Sequence, residues 1–375
     1  MKLKRIFSTV LAATMMMTAL VGCGSDSTTS STTGSEVSSQ EAEGSAEDAL
    51  KIALLIPGNL GDKSFYDSAN NGIKMVEESL GAEIKVVEMG LDQTKWEPTL
   101  LDFSEQDWDV IVTGSWEMTE LLNEAAVMYP DKKYINFDTS EEATEDNVYA
   151  MFYKTNELAF MAGTLAALQA EEAGESTIGF VGGMDNPGIN DFLIGYIEGA
   201  QNINPDIKVA ISYVGSFVDA TKGKETALAM YNQGISIIFQ VAGQTGLGVI
   251  DAAKETGKYA IGVDSDQAMA FAESDPEKAN QVITSAIKKI DESIVRAIEL
   301  HVAGELPYGT HETLGVKEGA VGLAKNDIYN KLVSNDIKQK VDEVEQKLAN
   351  GEIEVGTAFG QSTEQIEAIR AAVRP

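Results

Sequence analysis

The stretch Tyr213–Gln267 reads YVGSFVDATKGKETALAMYNQGISIIFQVAGQTGLGVIDAAKETGKYAIGVDSDQ. Three short apolar runs in it alternate with two amphipathic ones. Each apolar run ends in a polar or glycine-rich turn: Gly215-Ser216-Phe217, then Ala242-Gly243-Gln244-Thr245-Gly246, then Asp264-Ser265-Asp266. Strands nearly continuous in Val and Ile, alternating with helix-period segments, predict a parallel sheet covered on both faces. In open parallel sheets ligands bind beyond the carboxyl ends of the strands, so these three turns form half of a predicted ligand site.

The same alternation extends in both directions. Upstream, strands are predicted at Leu50–Ile56, Ala82–Glu88, Asp109–Thr113, Lys133–Phe137 and Val148–Tyr153, with helices between them. A long helix from about Asn156 to Glu172 then leads to a second series, with strands at Thr177–Val181 and Ile207–Val214 and a helix from Asp191. Downstream come a strand at Gln281–Ser285, a helix from Ile287 to Ala303, two short extended pieces within Glu312–Leu323, and an amphipathic helix ended by Gly351. Two successive α/β units of similar size predict two lobes with a cleft between their strand ends, a usual place for a small ligand.

Composition narrows the function. The chain has 375 residues, enough for two domains with substantial cores, and 43% of them are apolar. Its formal net charge of −31 argues against nucleic acid as a partner, because phosphate binding needs basic clusters. The same charge argues against electrostatic docking to anionic lipid. With Cys23 the single cysteine and His301 and His311 the two histidines, intramolecular disulfides and thiolate metal sites are excluded, and histidine chemistry has little to work with. No cofactor is indicated.

The first residues read as an address. Lys2, Lys4 and Arg5 precede an uncharged apolar stretch, Ile6–Val21, which is short for a membrane span and right for a signal-peptide core. It closes Leu20-Val21-Gly22-Cys23, which resembles the bacterial lipobox. That resemblance implies a signal peptide over residues 1–22 and lipid on Cys23. Residues 23–48, rich in Ser, Thr, Gly and Glu, read as a tether. One lipidated cysteine means a chain anchored to the membrane rather than spanning it.

Seven motifs carry a resemblance to a known family. They are DKSF at Asp62–Phe65, YINFD at Tyr134–Asp138, VGG at Val181–Gly183, NPDIKV at Asn204–Val209, YVGSF at Tyr213–Phe217, KGKE at Lys222–Glu225 and TGLG at Thr245–Gly248. An eighth, YAIGVDSDQ at Tyr259–Gln267, is the strongest. Together they resemble the basic membrane protein family of bacterial lipoproteins, whose best-known members are purine nucleoside receptors of ABC importers.

The resemblance implies a type I periplasmic-binding-protein fold, with two doubly wound parallel-sheet lobes joined by three crossovers. One lobe is expected from residues 49–153 with 286–318, the other from 154–285 with 319–375. It also implies a base sandwiched between Phe65 and Phe217, sugar hydroxyls met by Asp264 and Lys288, and a base edge met by Asp138. On the residues themselves, Phe65 packing against the start of its own helix and Asp264 as a turn former are the plain alternatives. Ser64 and Asp62 are both candidate helix caps, and Ser64 is also a candidate ligand contact. The loop Gly243, Thr245 and Gly246 offers backbone amides at a helix start.

Two positions depart from the family pattern, both on the base side. The first strand ends Ile56-Pro57-Gly58 without the aspartate found in many nucleoside-binding members, and Trp116 follows the third strand where a smaller or aliphatic residue is expected. Trp116 either adds stacking surface or packs in the lobe core. The expected function is therefore a lipid-anchored, extracytoplasmic, monomeric binding protein that delivers a nucleoside, by resemblance a purine one, to an ABC permease. A flavin-like heterocycle as ligand and a sensing role beside a membrane signalling protein stay open. A nucleoside hydrolase working with Asp264 and Asp266 has no metal cluster, nucleophile elbow or phosphate loop to support it.

Overall fold

The structure is a computed structural model that describes residues 49–139 and 144–375; the leader, Cys23 and the expected tether lie outside the described residues. Strand β1 (Lys51–Ile56) is buried at every residue after Lys51, so its side chains face apolar neighbours on both sides. That double burial is why its sequence is a continuous apolar run. Helix α1 (Phe65–Leu80) follows, then β2 (Glu83–Glu88), α2 (Trp96–Glu105), β3 (Val110–Gly114), α3 (Thr119–Met128), β4 (Lys133–Phe137) and β5 (Val148–Tyr153). These strands run parallel and, with β11 from late in the chain, form a six-stranded sheet in the order β11-β5-β4-β3-β1-β2.

The second series opens with α4 (Thr155–Glu172), β6 (Thr177–Gly182), α5 (Pro187–Ile203), β7 (Lys208–Tyr213), α6 (Ala220–Asn232) and β8 (Ile237–Val241). It continues with α7 (Gln244–Thr256), β9 (Tyr259–Asp264), α8 (Gln267–Ala272), α9 (Pro276–Ala279) and β10 (Val282–Lys288). After α10 (Ile290–Val302) come β11 (Thr310–Leu314), β12 (Val321–Leu323), α11 (Asp327–Leu332), α12 (Asn335–Ala349) and α13 (Thr363–Val373). The second sheet has the order β12-β10-β9-β8-β6-β7, parallel except for β12 against β10. The chain changes sheet after β5, after β10 and after β11. In each sheet the order reverses beside one strand, β1 in the first and β6 in the second, and such reversal points open a crevice at the strand ends.

Several element boundaries differ from the sequence expectation, among them α10, which begins at Ile290 rather than Ile287, and two of the differences have a visible reason. Strand β10 does not stop at Ser285. It runs to Lys288 because Ala286, Ile287 and Lys288 pair with Leu323, Gly322 and Val321 of β12. Local periodicity does not reveal a partner strand over thirty residues away in sequence. Helix α5 begins at Pro187 rather than Asp191. Asn186 caps it, its side chain accepting from the Ile189 N–H at 2.9 Å, and proline at the first turn gives up an amide with no partner there.

Helix α4 is apolar on all faces and almost wholly buried, lying against α5 and beneath the second sheet. The two helices touch backbone to backbone. A Cβ added at Gly199 would stand 1.9 Å from the Phe160 carbonyl oxygen. Gly199→Ala is therefore expected to lower stability by about 1–3 kcal/mol in urea unfolding, although alanine gains about 1 kcal/mol of helix propensity. An unchanged midpoint would show that the helices part freely.

Candidate functional site

The site starts with loop chemistry at the carboxyl ends of the strands. After β1 the chain must turn into α1, whose first amides lack partners. The Asp62 carboxylate takes that role, accepting from the N–H groups of Ser64 at 3.0 Å, Tyr66 at 3.0 Å and Asp67 at 3.2 Å. Burial pushes the Asp62 carboxyl up to about 6 against the pull of those amides. Because Asp62 caps, the Ser64 hydroxyl is released. It donates across the cleft to Asp264 Oδ2 at 2.7 Å. Beside it, the Ser265 hydroxyl donates to the Lys63 carbonyl at 2.7 Å.

Lys288 stands at the end of β10, with its side chain 4% exposed. Its ammonium donates to Asp138 Oδ2 of the first sheet's β4 loop at 2.8 Å and lies 3.6 Å from Asp264 Oδ1. The ring of Phe65 lies beneath it, 4.9 Å from nitrogen to centroid. Burial alone would lower the Lys288 pKa; the two carboxylates outweigh it and hold the group charged. Burial pushes the Asp264 carboxyl up, and Lys288 offsets part of that. Ser64, Phe65, Asp138, Asp264 and Lys288, drawn from both sheets, thus form one cluster.

Phe217, Gly243, Thr245 and Gly246 form a second group on the same sheet edge as Asp264. Phe217 is 38% exposed, and its ring packs against Gly183, where a Cβ would sit 2.4 Å from it. Thr245 is fully buried. Its hydroxyl donates to the Ser216 carbonyl at 2.9 Å and accepts from the Asp219 N–H at 2.8 Å, while its own N–H donates to the Phe217 carbonyl at 2.9 Å. At Gly246 a side chain would strike Gln240 Oε1. The structure therefore gives Thr245 and Gly246 to holding the Phe217 loop, and Gly243, at φ 53°, to the turn beneath it.

Trp116 is 54% exposed and does not pack in the lobe core. The cap of its short turn, Ser115, has φ 83°. With Lys63, Asp138 and Asp264 it completes the set of non-glycine residues of positive φ among the described residues; Lys63 lies in the loop between β1 and α1, and the other three at the carboxyl ends of β3, β4 and β9. Such strain persists where the surrounding structure over-determines it, and it clusters at functional sites.

Three features escaped the sequence reading. One is the pair Gln93 and Glu117, joined at 2.9 Å. Another is Lys63, whose ammonium lies 5.3 Å over Phe271 of the second lobe. The third is Arg370 of α13, which holds Asp185 after β6 with contacts of 3.0 and 2.6 Å and donates to Asn190 at 2.7 Å and Tyr213 at 2.9 Å. A wide depression of about 810 Å³ beside Lys51, Asp109 and Lys133 lies at the opposite, amino ends of the first sheet's strands. It gathers none of these groups.

A sequence model of the family described as "ABC transporter substrate-binding protein PnrA-like" matches residues 49–358. The chain belongs to this family. Its members are extracytoplasmic solute-binding proteins of ABC transporters rather than enzymes. Basic membrane protein A of Borreliella burgdorferi is 33% identical over 312 residues, covering 81% of this chain and 86% of that protein. The ABC transporter nucleoside-binding protein BmpA of Lactococcus lactis subsp. cremoris is 29% identical, covering 92% of this chain and 98% of that protein. Among solved structures, a solute-binding protein of an Aeropyrum pernix K1 ABC transporter superposes with TM-score 0.75 at 29% identity, over 86% of this chain and 98% of that one. The two parallel-sheet lobes are those of the periplasmic-binding-protein fold that the sequence resemblance implied. Among the described residues no helix is long and apolar enough to cross a membrane.

Lys288→Met tests the charge cluster. With the ammonium gone, buried Asp264 loses its cation and its pKa climbs further above that of the unfolded chain. A carboxyl raised on folding favours the folded state below its unfolded pKa, and that gain is lost as pH rises through the folded value. The variant should lose about 3–5 kcal/mol at pH 8 and markedly less at pH 5. Equal losses in urea melts at the two pH values would rule out charge burial as the cause.

Proposed function

We propose that this family member is a lipid-anchored receptor that captures a purine nucleoside in the cleft and presents it to an ABC permease. The observation that carries the reading is Phe217. Its large apolar ring stands 38% exposed at a strand end, on a loop braced by Thr245. An aromatic face left in solvent on a rigid loop suits a flat ligand, and stacking contributes about 0.5–1.5 kcal/mol beyond area burial. Phe65 offers a second aromatic from the other lobe. Asp264 and Lys288 supply an acceptor and a donor for ribose hydroxyls, and Asp138 supplies an acceptor for a base edge. Gly243, Thr245 and Gly246 set the Phe217 loop, and Ser64 ties Asp264 to the first lobe. The Lactococcus relative's name as a nucleoside-binding protein supports the same ligand class.

The purified protein should gain on the order of 5 °C in melting temperature with a purine nucleoside at a hundredfold excess over its Kd. Phe217→Ala should weaken binding at least about tenfold and leave the ligand-free melting temperature nearly unchanged, since the ring is part exposed. No shift with any nucleoside in the panel would overturn the reading; a shift with flavins and not nucleosides would transfer it to that heterocycle.

The anchor has its own test. Lipid on Cys23 should keep the protein in the membrane fraction of its host, and Cys23→Ala should release it or leave it unprocessed. Wild type and variant fractionating alike would remove the lipid from the account.

A further inference from the structure

Deepening the nucleoside reading and resting on it, we propose that Glu117, held by Gln93, is a specificity-determining contact for the base. In the first sheet β1 lies between β2 and β3, beside the point where the order reverses. Gln93 follows β2 and Glu117 follows β3, so the hydrogen bond from Gln93 Nε2 to Glu117 Oε1, 2.9 Å long, runs across the carboxyl end of β1. That end carries Pro57 and Gly58 and has no acid of its own. The ring of Tyr66 closes over it: a Cβ at Gly58 would meet that ring at 2.6 Å, and the Tyr66 hydroxyl donates to the Pro57 carbonyl at 2.9 Å. A side chain on β1 itself would have no room to reach the cleft there. The Glu117 carboxylate comes from the β3 loop and is half-buried.

Glu117 is aimed by a strained turn. Ser115, at φ 83°, accepts from the Glu117 N–H at 3.4 Å and sets the short turn that also presents Trp116, 54% exposed. Burial pushes the Tyr66 hydroxyl up, and the Glu117, Asp62 and Asp138 carboxylates near it push it further. Burial raises the carboxyl of Glu117 against the pull of Gln93, so the group is partly removed from water.

The pair leaves two acceptors for a ligand, Glu117 Oε2 and Gln93 Oε1. Acceptors without a competing donor select a base edge that presents donors, such as a ring N–H next to an exocyclic amine. They disfavour an edge that presents a ring acceptor. The ligand class at this end of the site is thus a 6-oxopurine nucleoside, with Trp116 beside the ring.

The test is titration calorimetry of the full chain with guanosine, inosine and adenosine, for wild type, Glu117→Gln and Glu117→Ala, with tryptophan fluorescence, compared with that of Trp116→Phe, as an independent readout. Wild type should prefer guanosine and inosine to adenosine. Both variants should lose at least about tenfold for guanosine and twofold or less for adenosine, closing the gap between them. Equal losses for all three ligands, or an unchanged ranking, would overturn the role of Glu117 and leave the nucleoside reading standing. Wild type binding none of the three would overturn the nucleoside reading and this inference with it.

Discussion

One buried ammonium governs the centre of this molecule. Lys288 belongs to the second sheet, yet its shorter contact is to Asp138 of the first. Removing a cation from water costs several kcal/mol, and the cost is met where opposite charges and hydrogen bonds surround it. Here the surroundings come from both lobes: Asp138 and the Phe65 ring from one, Asp264 from the other. Any rotation that parts the lobes separates Lys288 from Asp138 and leaves it to Asp264. Charge balance at one side chain is therefore coupled to the relative position of two domains. The pairing of β10 with β12 places that side chain by carrying the strand on to Lys288.

Around this centre the loops divide their work. Residues that look like ligand contacts in sequence are in part supports, and residues that look like supports make contacts. Asp62 spends its carboxylate on helix amides, and this frees Ser64 to reach Asp264. Thr245 spends its hydroxyl on the 216–219 backbone, and this leaves the Phe217 ring fixed and partly bare. Lys63, Ser115, Asp138 and Asp264 hold positive φ in the four loops that converge on the cleft. Each strained backbone aims a side chain or carbonyl that a relaxed turn would point elsewhere.

How much of this was legible follows from what each feature depends on. The strands and the turns after them were readable because double burial writes itself into a continuous apolar run, and fold class followed from the alternation alone. Phe65, Asp138, Asp264 and Lys288 were reached through motifs shared with a family; no local pattern says that they meet. The end of β10 is not legible locally because it is set by β12, whereas the start of α5 is written in a cap, Asn186, and a first-turn proline, Pro187, that hydrophobic periodicity does not register. Its sequence position suits Trp116 to core or cleft alike, and its exposure decides against the core. Gln93 and Glu117 had no signal in sequence at all. Their meeting across β1 exists because strand order places β1 between the strands they follow, a non-local fact.

The contacts that span the lobes and those confined to one lobe have different consequences for a ligand. A ligand shifts an equilibrium between open and closed forms by its differential affinity for the two. Ser64 with Asp264, and Lys288 with Asp138, already join the lobes through protein groups. Ligand atoms that engage this network share in closure, and the sugar, common to all nucleosides, is suited to that part. Glu117, Gln93 and Trp116 belong to the first lobe alone. A base edge held by them gains the same free energy whether the second lobe is near or far, so it alters affinity without altering closure. Such a division separates the choice of ligand from the conformational signal. Under the proposed roles, a substitution at Trp116 or Glu117 changes which ligand is preferred while the closed form, built from Lys288 and its carboxylates, stays the same for whatever partner reads it.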